Sequence, residues 1–201
     1  WRVRGADVVQ ACGRWWTAGF STGQVVECPG VPDRVWLSAV AGEGVSRALA
    51  AAVRQHWQLT IEQAHSAATA AGVVNSYACP ERMGVDRWLA MLAARTLIDG
   101  WFCLIDAGTA ITVDGVDAQG QNHGGWIVPG EQLMCRSLVE NTAQISTQAD
   151  IVGTAWGVST EEAVSLGARA AVAGLIDQVE RQAIMFATQQ PQFIVTGGGG
   201  S

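Results

Sequence analysis

Five consecutive residues, Asp106-Ala107-Gly108-Thr109-Ala110, combine the groups a phosphate site needs. Glycine has no Cβ, so a phosphate can approach the backbone N–H groups of such a turn. Thr109 adds a hydroxyl donor, and Asp106 at the end of an apolar run can hold a cation that neutralises phosphate charge. The run Gly124-Gly125-Trp126-Ile127-Val128-Pro129-Gly130 follows. Glycines inside a strand imply that something packs or binds close to the backbone. An ordinary turn at a strand end is the plainer explanation of the same residues.

Three further groups carry chemistry. The first runs Asn75-Ser76-Tyr77, six residues, then Gly84-Val85-Asp86-Arg87-Trp88. Asp86 at a helix start could simply cap exposed N–H groups, or pair locally with Arg87. It could instead act as general base toward a substrate hydroxyl, with the planar fork of Arg87 on a substrate carboxylate or carbonyl. The second is Ser159-Thr160-Glu161-Glu162, which reads as a capping box unless a ligand comes there. The third, Thr196-Gly197-Gly198, is a glycine turn after an apolar strand, suited to lie against a nucleotide or to open a linker.

The elements that must position these groups follow from periodicity and punctuation. Strands are expected at Arg2–Arg4, Val25–Cys28, Val35–Val40 and Thr60–Glu62, with a helix over Gly44–Gln58 and a loop over Gly72–Pro80. A helix is expected over Val85–Ile98, followed by a buried strand Phe102–Ile105, the Asp106–Ala110 turn and a strand Ile111–Val116. Asp117-Ala118-Gln119-Gly120 is hairpin-turn chemistry leading to a return strand His123–Val128. Helices near Glu131–Leu138 and over Thr160–Ala187, then a strand Gln192–Val195, complete the order. Strand, turn, strand, hairpin and helices make an α/β fold of mixed sheets.

Composition removes several classes. The 201 residues carry a net charge of −6, with twelve arginines and no lysine. That argues against a nucleic-acid surface and excludes any lysine-dependent mechanism. The histidines His56, His65 and His123 show no HxxH or HExxH spacing, and GxSxG and GxGxxG are absent. The cysteines Cys12, Cys28, Cys79, Cys103 and Cys135 are dispersed without CxxC spacing, as reduced cytosolic thiols would be. No apolar run approaches the roughly 18 residues of a membrane helix. The ends read as cut: Trp1-Arg2-Val3 looks like mid-strand, and Gly197–Ser201 equals a flexible GGGGS linker.

Taken in order, these motifs resemble the type III pantothenate kinases, a branch of the acetate- and sugar-kinase/Hsp70/actin superfamily. The resemblance runs from about Trp36 to Gly198. It rests on Asn75-Ser76-Tyr77, Gly84-x-Asp86-Arg87-Trp88, Asp106-x-Gly108-Thr109-Ala110, His123-x-Gly125-x-Ile127-x-Pro129-Gly130, Thr160-x-x-Ala163-Val164 with Gly167, and Thr196-Gly197-Gly198. It implies a two-lobed actin-like, ribonuclease H-like α/β fold with mixed sheets flanked by helices, truncated at both ends. The lobes would be residues 1–98, without the first strand and phosphate loop, and 99–201, without the closing segment.

The implied reaction is ATP-dependent phosphorylation of pantothenate on its terminal hydroxyl, the first step toward coenzyme A. Asp86 would be the catalytic base, with Tyr77, Gly84, Val85, Asp86, Arg87 and Thr160 at the pantothenate site. Gly108, Thr109, Gly197 and Gly198 would contact ATP, and Asp106 a monovalent cation, K+ or NH4+. Mg2+ would accompany the nucleotide. A homodimer in the cytoplasm is implied, with Thr160 reaching substrate across the interface; no nucleic acid or membrane enters as a partner.

The family's opening DxGN[ST]xxK loop is absent here, so the 201 residues alone are expected to bind ATP poorly or not at all. A non-catalytic regulatory relative, or a kinase of the same superfamily acting on another hydroxylated substrate, stays open on the residues alone.

Overall fold

The computed structural model describes residues 2–4, 8–10, 32–38, 42–141, 156–187 and 190–198. The expected strand Val25–Cys28, the thiols of Cys12 and Cys28, Trp1, and the tail Gly199–Ser201 lie outside the described residues. The chain groups into two units, residues up to Ser66 with Gly84–Asp86, and Ala67–Met83 with the residues from Arg87 onward.

In the first unit, β1 (Arg2–Arg4) pairs antiparallel with β2 (Val8–Gln10). A β-α-β unit follows: β3 (Val35–Leu37), α1 (Gly42–Trp57) and β4 (Ile61–Gln63), with β3 and β4 parallel. Ala52 and Val53 of α1 are buried against Val35, Leu49, Trp57, Leu59 and Ile61. These are apolar positions at helical spacing set against alternating strand positions. Arg34 and Glu62 form a bidentate pair at 2.7 and 2.6 Å across the strand ends.

The second unit opens with β5 (Thr69–Ala70) and β6 (Val73–Val74), a small antiparallel hairpin whose second strand falls in the expected Gly72–Pro80 loop. A 3-10 turn (Pro80–Arg82) leads to α2, Val85–Arg95, which stops three residues short of the expected Ile98. Then come β7 (Phe102–Ala107), β8 (Ala110–Val116), β9 (Asn122–Pro129), α3 (Glu131–Asn141), α4 (Thr160–Phe186) and β10 (Gln192–Thr196). The sheet order is β10-β7-β8-β9, with β10 parallel to β7 and the other neighbours antiparallel. The α/β class with mixed sheets is therefore as expected.

β7 is covered on both faces, which explains why it is a continuous apolar run instead of alternating. Phe102 and Leu104 face Trp88, Met91 and Ala94 of α2, whereas Cys103 and Ile105 face Val179 and Ala183 of α4. Each such large side chain contributes roughly 1.5–3 kcal/mol on burial. At the start of α4, Ser159 Oγ accepts from the Glu162 N–H at 3.2 Å while Glu162 Oε2 accepts from the Val158 N–H at 2.8 Å. That is the expected reciprocal cap, shifted by one residue on its return bond. None of the described helices is long and apolar enough to cross a membrane.

Candidate functional site

Two polar clusters sit on the four-stranded sheet. The first is at the end of β7. Asp106 and Ala107 remain in strand pairing, opposite Thr112 and Ile111 of β8, so the reversal is only Gly108-Thr109, shorter than the expected five-residue turn. β10 runs alongside with Thr196 beside Asp106. Gly108 N–H donates to the Ala110 carbonyl at 3.0 Å, and the Thr109 carbonyl accepts from Gly130 N–H at 2.8 Å. The Gly108 amide is thus used within the turn. What the turn offers an anion is the Thr109 hydroxyl and a surface without bulky side chains.

Gly197, just past β10, makes the edge possible. Its φ of +99° lies in the left-handed region, where a side chain is strained. A Cβ there would also overlap the Ala107 carbonyl oxygen and stand 2.5 Å from Asp106 Oδ1. The backbone after β10 therefore rides directly against the Asp106 carboxylate. Gly108, Thr109, Gly197 and Gly198 are all exposed, and Asp106 is half-buried. A carboxylate beside a carbonyl is a hard oxygen set that suits K+ or Mg2+, so the residues present fit the expected cation.

The second cluster is buried. Arg87, in the first turn of α2, donates from Nε to Asp114 Oδ2 at 2.9 Å and from Nη2 to Asp114 Oδ1 at 2.6 Å. Its Nη1 donates to the Tyr77 hydroxyl at 3.0 Å. Arg87 and Asp114 are 6% and 1% exposed, so this is an ion pair largely removed from water. Burial alone would lower the Arg87 pKa; the hydrogen bonds and charge of Asp114 outweigh it and hold the guanidinium firmly protonated. Gly125 lies opposite Asp114 in the β8–β9 register, and a Cβ there would overlap the Val113 carbonyl oxygen and stand 2.7 Å from Asp114 Oδ1 and 2.9 Å from Arg87 Nη2. The strand glycine is explained by this close approach.

Tyr77 is held by its own motif. The Asn75 side chain donates to the Ala67 and Pro80 carbonyls and accepts from the Tyr77 N–H at 2.9 Å. Ser76 Oγ donates to Asn122 Oδ1 at 2.6 Å, and buried Asn122 in turn donates to the Gly115 carbonyl at 3.1 Å. Sequence reasoning missed Asp114 and Asn122. The signal for Asp114 was a carboxylate inside an apolar strand, which must be paired when buried.

The remaining expected residues fall elsewhere. Gly84 precedes α2, and Val85 and Asp86 open its first turn, with Asp86 exposed; these three group with the first unit. Thr160 is the exposed first residue of α4. A cavity of about 210 Å3 lies between α4 and the sheet, lined by Trp101, His123, Trp126 and Phe186, and includes neither Tyr77 nor the Asp106 turn. Beside it, Cys103 is buried and its thiol is pushed up to about 11 by burial and by the charge of Asp114. Among the described residues no group of three or more His, Cys, Asp or Glu is arranged to hold a metal.

The family model "Type III pantothenate kinase" matches residues 4–182. The type III pantothenate kinase of Halorhodospira halophila is 36% identical over 84% of this chain and 66% of its own length. That of Idiomarina loihiensis is 40% identical over 74% of this chain and 56% of its own. That of Nitrosococcus oceani is 33% identical over 83% and 65%. The chain thus spans somewhat less than two thirds of these relatives. A crystal structure from Campylobacter jejuni, described as a Baf family transcriptional activator, superposes with a TM-score of 0.51 over 87% of this chain and 81% of that one. Its identity is 17%, so that likeness concerns the fold alone.

Proposed function

The chain belongs to the type III pantothenate kinase family, and from that premise we propose that the protein transfers the γ-phosphoryl group of ATP to the terminal hydroxyl of pantothenate. The observation that carries the reading is the Asp106–Thr109 edge, where Gly197 and Gly130 bring backbone against the turn and Gly108, Thr109, Gly197 and Gly198 present an exposed, glycine-lined surface suited to a nucleotide. Phosphoryl transfer asks little covalent chemistry of a protein; it asks for positioning and charge neutralisation.

In this reading Asp86 takes the proton of the attacking hydroxyl as the oxygen–phosphorus bond forms and ADP leaves. Tyr77, Gly84, Val85 and Arg87 hold pantothenate, and Thr160 reaches it across a homodimer interface. Gly108, Thr109, Gly197 and Gly198 line the nucleotide, and Asp106 holds a monovalent cation, K+ or NH4+. Mg2+ bound with ATP supplies charge neutralisation on the phosphates. The same reading gives the protein a two-lobed actin-like fold, split at about residue 98, and a cytoplasmic setting.

The test is turnover: full-length protein with ATP and pantothenate is expected to form 4'-phosphopantothenate. Asp86→Asn is expected to lower kcat by ~10²–10⁴-fold while pantothenate still binds. Full-length folded protein that forms no phosphopantothenate refutes the reading.

A further inference from the structure

Arg87, Tyr77 and Asp114 form a chain of hydrogen bonds with a defined direction. The guanidinium donates twice to the Asp114 carboxylate and once, from Nη1, to the Tyr77 oxygen. A phenol oxygen that accepts from arginine turns its own proton away, so the Tyr77 O–H is set as a donor. The Tyr77 ring also lies 5.9 Å from the guanidinium carbon, and the side chain is half-buried, with Asn75 fixing its backbone N–H.

The geometry points to Asp114 as a positioning residue for substrate: it fixes the Arg87 fork, and through it aims the Tyr77 hydroxyl as a hydrogen-bond donor toward an acceptor oxygen of the substrate, a carbonyl, carboxylate or hydroxyl. Asp114 itself touches no substrate. The inference rests on the function proposed above, because it takes pantothenate as the molecule that supplies the acceptor.

A bidentate carboxylate is required for this work. An amide at the same place presents an NH2 group to one arm of the fork, donor against donor, and the guanidinium loses its plane of reference. Gly125, opposite Asp114, has no side chain that could take over the lost partner's place. A purely structural ion pair would respond differently: its loss would lower stability and leave substrate recognition among the surviving folded molecules unchanged.

The experiment measures steady-state kinetics on full-length protein for Asp114→Asn, Asp114→Glu, Tyr77→Phe and the double variant Asp114→Asn/Tyr77→Phe, with melting curves beside them. Tyr77→Phe is expected to raise the KM for pantothenate about tenfold and to leave the KM for ATP unchanged, the size of one hydrogen bond from a buried donor. Asp114→Asn is expected to raise it at least as much, Asp114→Glu to recover part of the loss, and the double variant to be no worse than Asp114→Asn alone. An unchanged pantothenate KM in folded Asp114→Asn, or fully multiplicative effects in the double variant, overturns the inference. Should Asp114→Asn fail to fold, a Tyr77→Phe protein with wild-type melting and wild-type pantothenate KM overturns it equally. Parent protein that forms no phosphopantothenate sinks the functional reading, and this inference with it.

Discussion

On β8, Ala110 and Asp114 are four residues apart, yet the polar regions around them are built by opposite means. Around Asp114, charged side chains are buried and committed to one another: Arg87 gives three of its N–H groups to Asp114 and Tyr77. At the Ala110 end the neighbouring groups are exposed, and the shape comes from backbone clearance at Gly197 and a backbone bond from Gly130 to Thr109. The first region is held by fixed side-chain geometry and tolerates little loss. The second is shaped by the absence of side chains, and its surface is exposed.

Asp114→Asn is expected to be the most damaging single change. It leaves the Arg87 charge buried without its counter-ion, and the expected loss is about 3–5 kcal/mol of stability, read as a lower denaturant midpoint. Gly197→Ala is expected to cost less, ~1–3 kcal/mol, through its +99° φ and the overlap with Ala107. Its effect should fall on ATP, weakening nucleotide binding in calorimetry while pantothenate binding persists. Equal losses of both ligands in Gly197→Ala would dissolve the distinction between the two regions.

The smallest effect sharpens the comparison from outside both clusters. Asp117 lies in the β8–β9 turn, where burial raises its pKa. The His123 hydrogen bond at 2.8 Å and the Gln121 and Gln119 N–H groups more than reverse this, so the net shift is downward. A depressed carboxylate stabilises the fold above its unfolded pKa, and that contribution disappears as pH falls through the lower folded value. Asp117→Asn should therefore flatten the acid limb of a stability–pH curve, by less than ~1 kcal/mol at neutral pH. Activity parameters at neutral pH should not move.

Legibility in the sequence followed the range of each interaction. The helix over Val85, the strand from Phe102 and the cap at Ser159 depend on neighbours a few residues away, and each is found near its expected place. Asp106 was expected in a turn and lies in a strand, because pairing with β8 and with β10 extends β7 by two residues. Strand β6 was read as part of the Gly72–Pro80 loop, and β5 was not foreseen, because two-residue strands carry no periodicity. Arg87 was identified by its motif, but its partner Asp114 is 27 residues away, and only the packing of α2 on the sheet joins them. Strand glycines were legible as a sign of close approach; what approaches Gly125 was not.

The parallel neighbour of β7 has a consequence for how the molecule is made. Gly197 comes off the ribosome about ninety residues after Asp106. The hairpin of β8 and β9, and the Arg87–Asp114 contact, need only residues already synthesised by then. Until β10 emerges, β7 has an open edge, the kind of surface that recruits foreign strands. The edge at Asp106 and Gly197 is therefore the last part of the four-stranded sheet to be assembled, and a stalled or clipped nascent chain would carry the Arg87–Asp114 cluster without it.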